Sequence, residues 1–499
     1  MVLSKSRFTA GIQCHKLLWW KVHEPLAVEL QPDKVLLDRF DQGRQVGELA
    51  RERFPGGVLI TGPHGAIAER VHATHEAIEG GAHTIFEGTF VANNTQVMVD
   101  VLTRIKGEGR VRVQDEGRLG EGWRMVEAKM TSSQKDEHLP DATVQLHIVK
   151  ENGLDVRAVE IMHLNPEFRH PDQGELLIST DVTSPARELL PTIPGRIAAQ
   201  LAMLGGPLPE VNIGAHCAEP RECPFVERCW PQKADHIKKL YNVGYKRAAE
   251  YMSAGVHSVW DIPPKKKLPP AAQRQLRSMK ENALIVEPSL KDALKDFDVR
   301  MGFLDFETIN RAVPVWPGMK PWEQAAAQFS YHESDGTGGH RHAEYLADGS
   351  EDCRPELAQL MIEATQGAER VATYSAFEKT RIRGLQETVP KLRDELKALE
   401  EKLIDLLPVV RDHVYHPDFH GSFSIKAVLN PLVPDLSYDD LIIVDGLTAS
   451  VEIARLLFVA QKIAPEERAR VRKDLLAYCE RDTFAMVRLL ARLRELARG

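Results

Sequence analysis

A chain of 499 residues is too long for one ordinary hydrophobic core, so two or three domains are expected. Hydrophobic residues at 43% and charged residues at 27% are the proportions of a globular protein in water, and a formal net charge of −8 excludes a global attraction to nucleic acid, leaving any such binding to local basic patches. Six cysteines do not make a disulfide scaffold, MVLSKSRFTAGIQC lacks the apolar run of a signal peptide, and no later run suffices to span a membrane, so the chain reads as cytoplasmic.

Residues 1–232 mix helical and strand patterns and close in a cysteine-rich stretch. QVMVDVLTRI, rich in Val and Ile, predicts a strand with Asp100 at its middle. Beyond a polar, Gly-rich connection, GWRMVEAKM predicts another. The two-residue period of a strand sends Glu127 and Lys129 to one face. Two carboxylates and an ammonium converging there suit phosphodiester hydrolysis: the carboxylates hold Mg²⁺ or Mn²⁺, and the lysine positions a water and offsets developing charge. On spacing alone, a surface ion pair between two strands is the simpler account. A helix over DATVQLHIVKENG carries Gln145. HCAEPRECPFVERCW then sets Cys217, Cys223 and Cys229 at one repeated interval, a soft ligand set short of a fourth member.

Residues 233–297 read as wholly helical around a Pro- and Lys-rich interruption, DIPPKKKLPPAAQ. Apolar residues at helical spacing on both sides of Asn242, Val243 and Gly244 predict two helices about a tight turn, and Asn enters the left-handed region more readily than most residues. The pattern resembles a helix-hairpin-helix, whose turn offers backbone N–H groups to a phosphate. Lys265, Lys266 and Lys267 would add a salt-sensitive phosphate attraction. A helical spacer with a solvated basic loop accounts for the same residues.

Residues 298–499 begin with the apolar strand MGFLDFETI, which places Asp305 and Glu307 on one face. ERVATYSAFEKTRIRGL runs from strand to helix with Glu378 at the junction. In KLRDELKALEEKLIDLL, Leu392, Leu396, Leu399 and Leu403 mark one amphipathic helix face, with Asp405 at a solvent-facing helical position. LLAYCERDTFAMVRLL predicts a helix presenting Tyr478 and Asp482 one turn apart. Four acids brought together need cations, and a two-metal phosphodiester hydrolysis site is their natural use.

Asp100, the run Glu127-Ala128-Lys129 and Gln145 resemble the PD-(D/E)XK nuclease signature in its RecB-like branch. That resemblance implies a restriction-endonuclease-like fold and a [4Fe–4S] cluster held by Cys217, Cys223, Cys229 and one N-terminal cysteine, matched by Cys14 in IQCHKLLWW. Four thiolates are the usual set for such a cluster. A structural zinc is the second candidate, although its cysteines usually come in closer pairs. The branch often carries a metal-binding histidine on an early helix; in DQGRQVGELARERF, Gly47 and Glu48 stand there instead, and His83 or Glu87 is the candidate substitute. Val149 takes the place of the tyrosine that follows the branch's glutamine.

Asp305, Glu307, Glu378, Tyr478 and Asp482 resemble the DEDD exonucleases of the RNase H-like fold, in the subclass whose tyrosine orients the attacking water. Phe377-Glu378 stands where that group usually has Phe-Asp, and Asp405 is a candidate for the replaced acid. Lys426 in GSFSIKAVL also resembles a downstream feature of the group. As a whole, the chain resembles a bacterial family pairing a RecB-like iron–sulfur nuclease domain with a DEDD exonuclease domain. The resemblance implies an α/β multidomain fold: a PD-(D/E)XK domain over 1–232, a helical middle over 233–297 and an RNase H-like domain over 298–499. It also implies metal-dependent hydrolysis of DNA, single-stranded or end-containing, with 3′ trimming at the second site, in repair or defence against foreign DNA. An RNA-processing exonuclease is one alternative; an inactive iron–sulfur scaffold that binds nucleic acid or a partner nuclease is another. Any helicase or repair partner is left open.

Overall fold

Alternation in QVMVDVLTRI sends Val97, Val99 and Val101 to one side, all buried, and leaves Asp100 half-buried on the other. The structure, a computed structural model, describes residues 2–63, 65–105, 122–334 and 339–498. The Gly-rich connection expected between the first two acid-bearing strands falls within 106–121, outside the described residues. The chain is α/β and divides into two compact units, Met1–Trp230 with Ala312–Val315 and Lys320–Trp322, and Pro231–Arg311 with Trp316–Met319 and Glu323–Gly499. Residues 233–297 are thus part of the second unit. No helix among the described residues is long and apolar enough to cross a membrane.

The first unit runs β1 (Leu3–Ser4), α1 (Lys5–Gln13), α2 (His15–His23), α3 (Lys34–Glu52), β2 (Val58–Leu59), α4 (Ile67–Glu79), β3 (Thr84–Ala92), β4 (Thr95–Ile105), β5 (Gly122–Lys129), α5 (His138–Glu151), β6 (Val156–Leu164), β7 (Leu177–Asp181), α6 (Thr183–Leu189), α7 (Ile193–Leu204) and α8 (Val226–Cys229). Its mixed sheet has the order β2-β3-β4-β5-β6-β7, with β1 beside the start of β4. The pairs β3–β4, β4–β5 and β6–β7 are antiparallel, whereas β5 and β6 are parallel and joined through α5. Helix α5 is buried from Asp141 through Val149, with Asp141 and Gln145 turned to the polar side chains of β5 and Val144, Leu146, Ile148 and Val149 in the apolar core, each of these four stabilising the unit by roughly 1.5–3 kcal/mol.

The second unit runs α9 (Gly244–Ser253), α10 (Pro270–Glu281), β8 (Ile285–Val286), α11 (Leu290–Ala293), β9 (Met301–Asn310), β10 (Gln324–Ser334), β11 (His340–Leu346), α12 (Arg354–Thr365), β12 (Arg370–Thr373), α13 (Phe377–Thr388), α14 (Arg393–Lys402), β13 (Leu403–Asp405), α15 (Leu407–His413), β14 (Val414–Tyr415), α16 (Ile425–Leu432), α17 (Gly446–Phe458) and α18 (Pro465–Leu496). Its main sheet has the order β11-β10-β9-β12-β13, antiparallel across the first three strands and parallel across the last three. Leu304, Phe306, Phe329 and Tyr331 pack there against α12, α13 and α14.

Three local expectations are corrected. The amphipathic helix stops at Lys402, because Leu403 and Ile404 pair as a strand with Val371 and Ala372 of β12; Asp405 therefore ends a strand and is not a helical surface residue. The segment before Asn242 makes only a 3₁₀ turn, Ile237–Lys239, so one helix follows the tight turn and none precedes it. Asn242 does adopt a left-handed φ of 60°. Finally, the 233–297 stretch is not wholly helical, since β8 pairs with β14.

Candidate functional site

In the first unit β5 brings Glu127 and Lys129 to one place, as its two-residue period requires, and β4 adds Asp100. The Asp100 Oδ2 accepts a hydrogen bond from the Ala128 N–H at 2.8 Å, which fixes the acid against the neighbouring strand. Lys129 Nζ lies 2.7 Å from Glu127 Oε1 and also donates to Asp141 of α5. Gln145, one helical turn beyond Asp141, donates to Glu127 Oε2 at 2.8 Å, and its own Oε1 is buried without a partner. Lys5 at the start of α1 gives Glu127 a second ammonium, 2.6 Å from Oε1. Burial and the charge on Glu127 raise the Asp100 carboxyl to about 7. Burial acts the same way on Glu127, but Lys129 and Lys5 outweigh it and hold that carboxyl well below the usual range. Both lysines stay protonated: burial opposes their charge, and the neighbouring acids overcome it.

Of the two candidates for the missing ligand, Glu87 lies near Asp100 and raises its pKa, and Arg51 sits 3.7 Å from Glu87 Oε1. His83 immediately precedes β3, beside Thr103. Val149 is fully buried in the apolar core, and Glu48 is exposed on α3.

Cys14, Cys217, Cys223 and Cys229 line one small cavity together with Leu17, Trp20 and Ile213. All four carry free thiols. Burial, with the other three thiols beside it, pushes Cys223 up to about 11. The two arms of the cavity are tied together: Gln13 donates to the carbonyls of His216 and Arg221 at 2.9 and 2.7 Å. Arg228, from the second arm, reaches Glu24 and Glu29 at 2.6 Å each and lies over the Trp20 ring. The described triads whose ligand atoms all lie within 4.8 Å of one another do not include these cysteines.

In the second unit, Asp305 and Glu307 on β9 meet Asp482 on α18, with one carboxylate oxygen of each within 4.8 Å of the others. Glu378, on the first turn of α13, lies against Asp305 and accepts from Ser375 Oγ at 3.3 Å. Asp405 is near enough to Glu378 to raise its pKa. Tyr478, one turn before Asp482, accepts from Lys426 Nζ at 3.0 Å, and Tyr438 donates to Asp482 Oδ1. Two unit charges about 4 Å apart repel by about 4 kcal/mol at an effective dielectric of about 20, so these acids cannot all ionise without a cation. Burial and that repulsion raise Asp305 and Glu307 well above the usual carboxylate range. Burial raises Glu378 to about 7 and Asp482 to about 6, the latter restrained by the Tyr438 hydrogen bond and the Lys426 charge. Such a set of oxygens takes hard divalent cations.

Lys5, Asp141 and Tyr438 were not apparent in the sequence. Asp141 precedes Gln145 by one helical turn, a spacing that marks it in retrospect. Lys5 and Tyr438 have no local signal, because only the tertiary fold brings them in. A family model described as a domain of unknown function (DUF2779) matches residues 302–424, a span that holds Asp305, Glu307, Glu378 and Asp405 but stops before Lys426, Tyr478 and Asp482. A comparison with curated proteins gave no match.

Proposed function

We propose that the chain is a metal-dependent nuclease whose principal active site lies in the second unit. The observation that carries this reading is the convergence of Asp305, Glu307 and Asp482 around one point, with Glu378 beside them. Bound Mg²⁺ or Mn²⁺ would stabilise charge on the phosphate and on the attacking and leaving oxygens. The chain's own part would be positional: Asp305, Glu307, Glu378 and Asp482 would hold the cations, while Tyr478, which accepts from Lys426 Nζ, would orient a water. This agrees with the RNase H-like, DEDD-type reading and with its expected trimming of 3′ ends. Half-exposed Trp260 beside Lys265, Lys266 and Lys267 supports a single-stranded nucleic acid as substrate, since bases stack on the ring while phosphates meet the ammoniums. DNA is the preferred class and RNA the alternative.

For the first unit the same reading is a RecB-like PD-(D/E)XK domain, in which Asp100 and Glu127 would hold a cation and the four cysteines an iron–sulfur cluster. The donor set fits the cluster, four thiols about one cavity, and its role would be to join the two ends of the unit. One observation favours a second reading for the site at Glu127. Two ammoniums already neutralise that carboxylate, as in a structural ion-pair network, which makes the first unit a binding scaffold for the active second one.

The test incubates anaerobically purified protein with single-stranded DNA and RNA of one sequence. Turnover that needs Mn²⁺ or Mg²⁺, ceases with EDTA and is lost in Glu307→Gln supports the nuclease. Binding of either strand without turnover in any cation supports the scaffold for the whole chain.

A further inference from the structure

The hairpin of β10 and β11 carries a second group of potential ligands, on side chains that the acidic centre does not use. His332 and His342 stand directly opposite each other across the two strands, and Glu480 of α18 lies over that face. One ligand atom from each of the three lies within 4.8 Å of the others. Each ring is already held through its other nitrogen. The Nδ1 of His332 is 2.8 Å from Thr483 Oγ1, and the Nε2 of His342 is 3.0 Å from Ser330 Oγ. The two hydroxyls are themselves 2.7 Å apart. This pattern leaves His332 Nε2 and His342 Nδ1 for a ligand, the latter 3.9 Å from Glu480 Oε1. Hydroxyl or carbonyl partners on the far nitrogen are what fix the orientation and tautomer of metal-bound histidines. The rings lie 4.5 Å apart at an angle of 24°, and Glu480, half-exposed, has the freedom to close on an ion.

We propose that His332, His342 and Glu480 form a separate metal site for a borderline d-block dication, of which Zn²⁺ is the type. Two imidazole nitrogens and one carboxylate oxygen match that class and leave a position for water. The acidic centre offers only oxygen and selects harder cations, so the two sites differ in preference. An ion here would tie the hairpin to α18, the helix that carries Tyr478 and Asp482.

The test uses Co²⁺ as an optical probe on the full chain, in excess Mg²⁺ so that the carboxylate centre is filled. The difference between wild type and His342→Ala should show visible d–d bands that saturate at one equivalent and disappear on adding Zn²⁺, without the strong near-ultraviolet absorption that Co²⁺ gives at the four thiols. Glu480→Gln, at an exposed position, should weaken Co²⁺ binding at least ~10-fold, and Ser330→Ala by a similar factor through the lost support of His342. Absence of these bands from the difference, or equal affinity in wild type and Glu480→Gln, would overturn the proposal.

Discussion

Asp305 and Glu307 share a face of β9 because a strand repeats every two residues, and Tyr478 and Asp482 share a face of α18 because a helix repeats near every four. Those periods made both pairs legible before any fold was known. Lys5 and Tyr438 obey no period with the residues they serve, and so were not. Asp405 was misplaced for a related reason: a short apolar run such as Leu403-Ile404 fits a helix face or a buried strand equally, and only pairing with β12 decides. At this scale the proposed mechanism has Tyr478→Phe lower turnover about 100-fold while leaving Mn²⁺ binding near wild type, because the substitution would remove a water-orienting hydroxyl and no metal ligand. Equal losses of Mn²⁺ affinity and turnover would instead make the tyrosine part of the metal site. The raised carboxyls also set a pH dependence. Folded Glu378 and Asp482 keep protons, up to about 7 and about 6, that the unfolded chain releases near pH 4. The metal-free protein should therefore lose stability as pH rises from about 4 to 7, and Mn²⁺ should bind more tightly over the upper part of that range as it displaces those protons. Thermal melts with EDTA and with Mn²⁺ across pH 5–8 check both slopes; a metal-free melting temperature that climbs from pH 5 to 7 would count against the assignment.

At the scale of elements, the strands over QVMVDVLTRI, GWRMVEAKM and MGFLDFETI and the helix over DATVQLHIVKENG are legible from their periods, whereas β6, β10 and β11 are not singled out and β13 reads as helix. The segment between α8 and β9 was less legible. Its apolar spacing predicts two helices about Asn242, yet the first is a single 3₁₀ turn, because a run this short lacks the length to sustain an α-helix. The proposal for the basic loop after Trp260 does not depend on that helix. Trp260 is 49% exposed, and the three lysines beside it make no ion pair among the described residues. Trp260→Ala should weaken single-stranded DNA binding by about 1–3 kcal/mol with little change in salt dependence. Replacing Lys265, Lys266 and Lys267 with Gln should reduce the log–log salt slope by about 2, at about 0.7 per phosphate contact. Fluorescence anisotropy of a labelled oligonucleotide over a salt series separates the two effects.

At the scale of the molecule, each unit builds its acidic cluster on the face of its own mixed sheet, and the first unit adds a cysteine cavity joining its first helices to its last. Cys14 lies far from the other three in sequence, and the hydrogen bonds of Gln13 with the ion pairs of Arg228 bring the arms together. Anaerobically purified protein should hold iron and acid-labile sulfide, and Cys14→Ser should lose both along with stability of the first unit; zinc in place of iron would identify the smaller ion. The central claim, that the chain cuts nucleic acid at the acidic cluster of the second unit, is tested most directly by cleavage of single-stranded DNA labelled at either end. Wild type, Lys129→Ala and Asp305→Ala are compared in Mn²⁺. The account predicts mononucleotide release from the 3′ end that persists in Lys129→Ala and disappears in Asp305→Ala. Cleavage that survives Asp305→Ala and disappears in Lys129→Ala would contradict it and move the chemistry to the first unit.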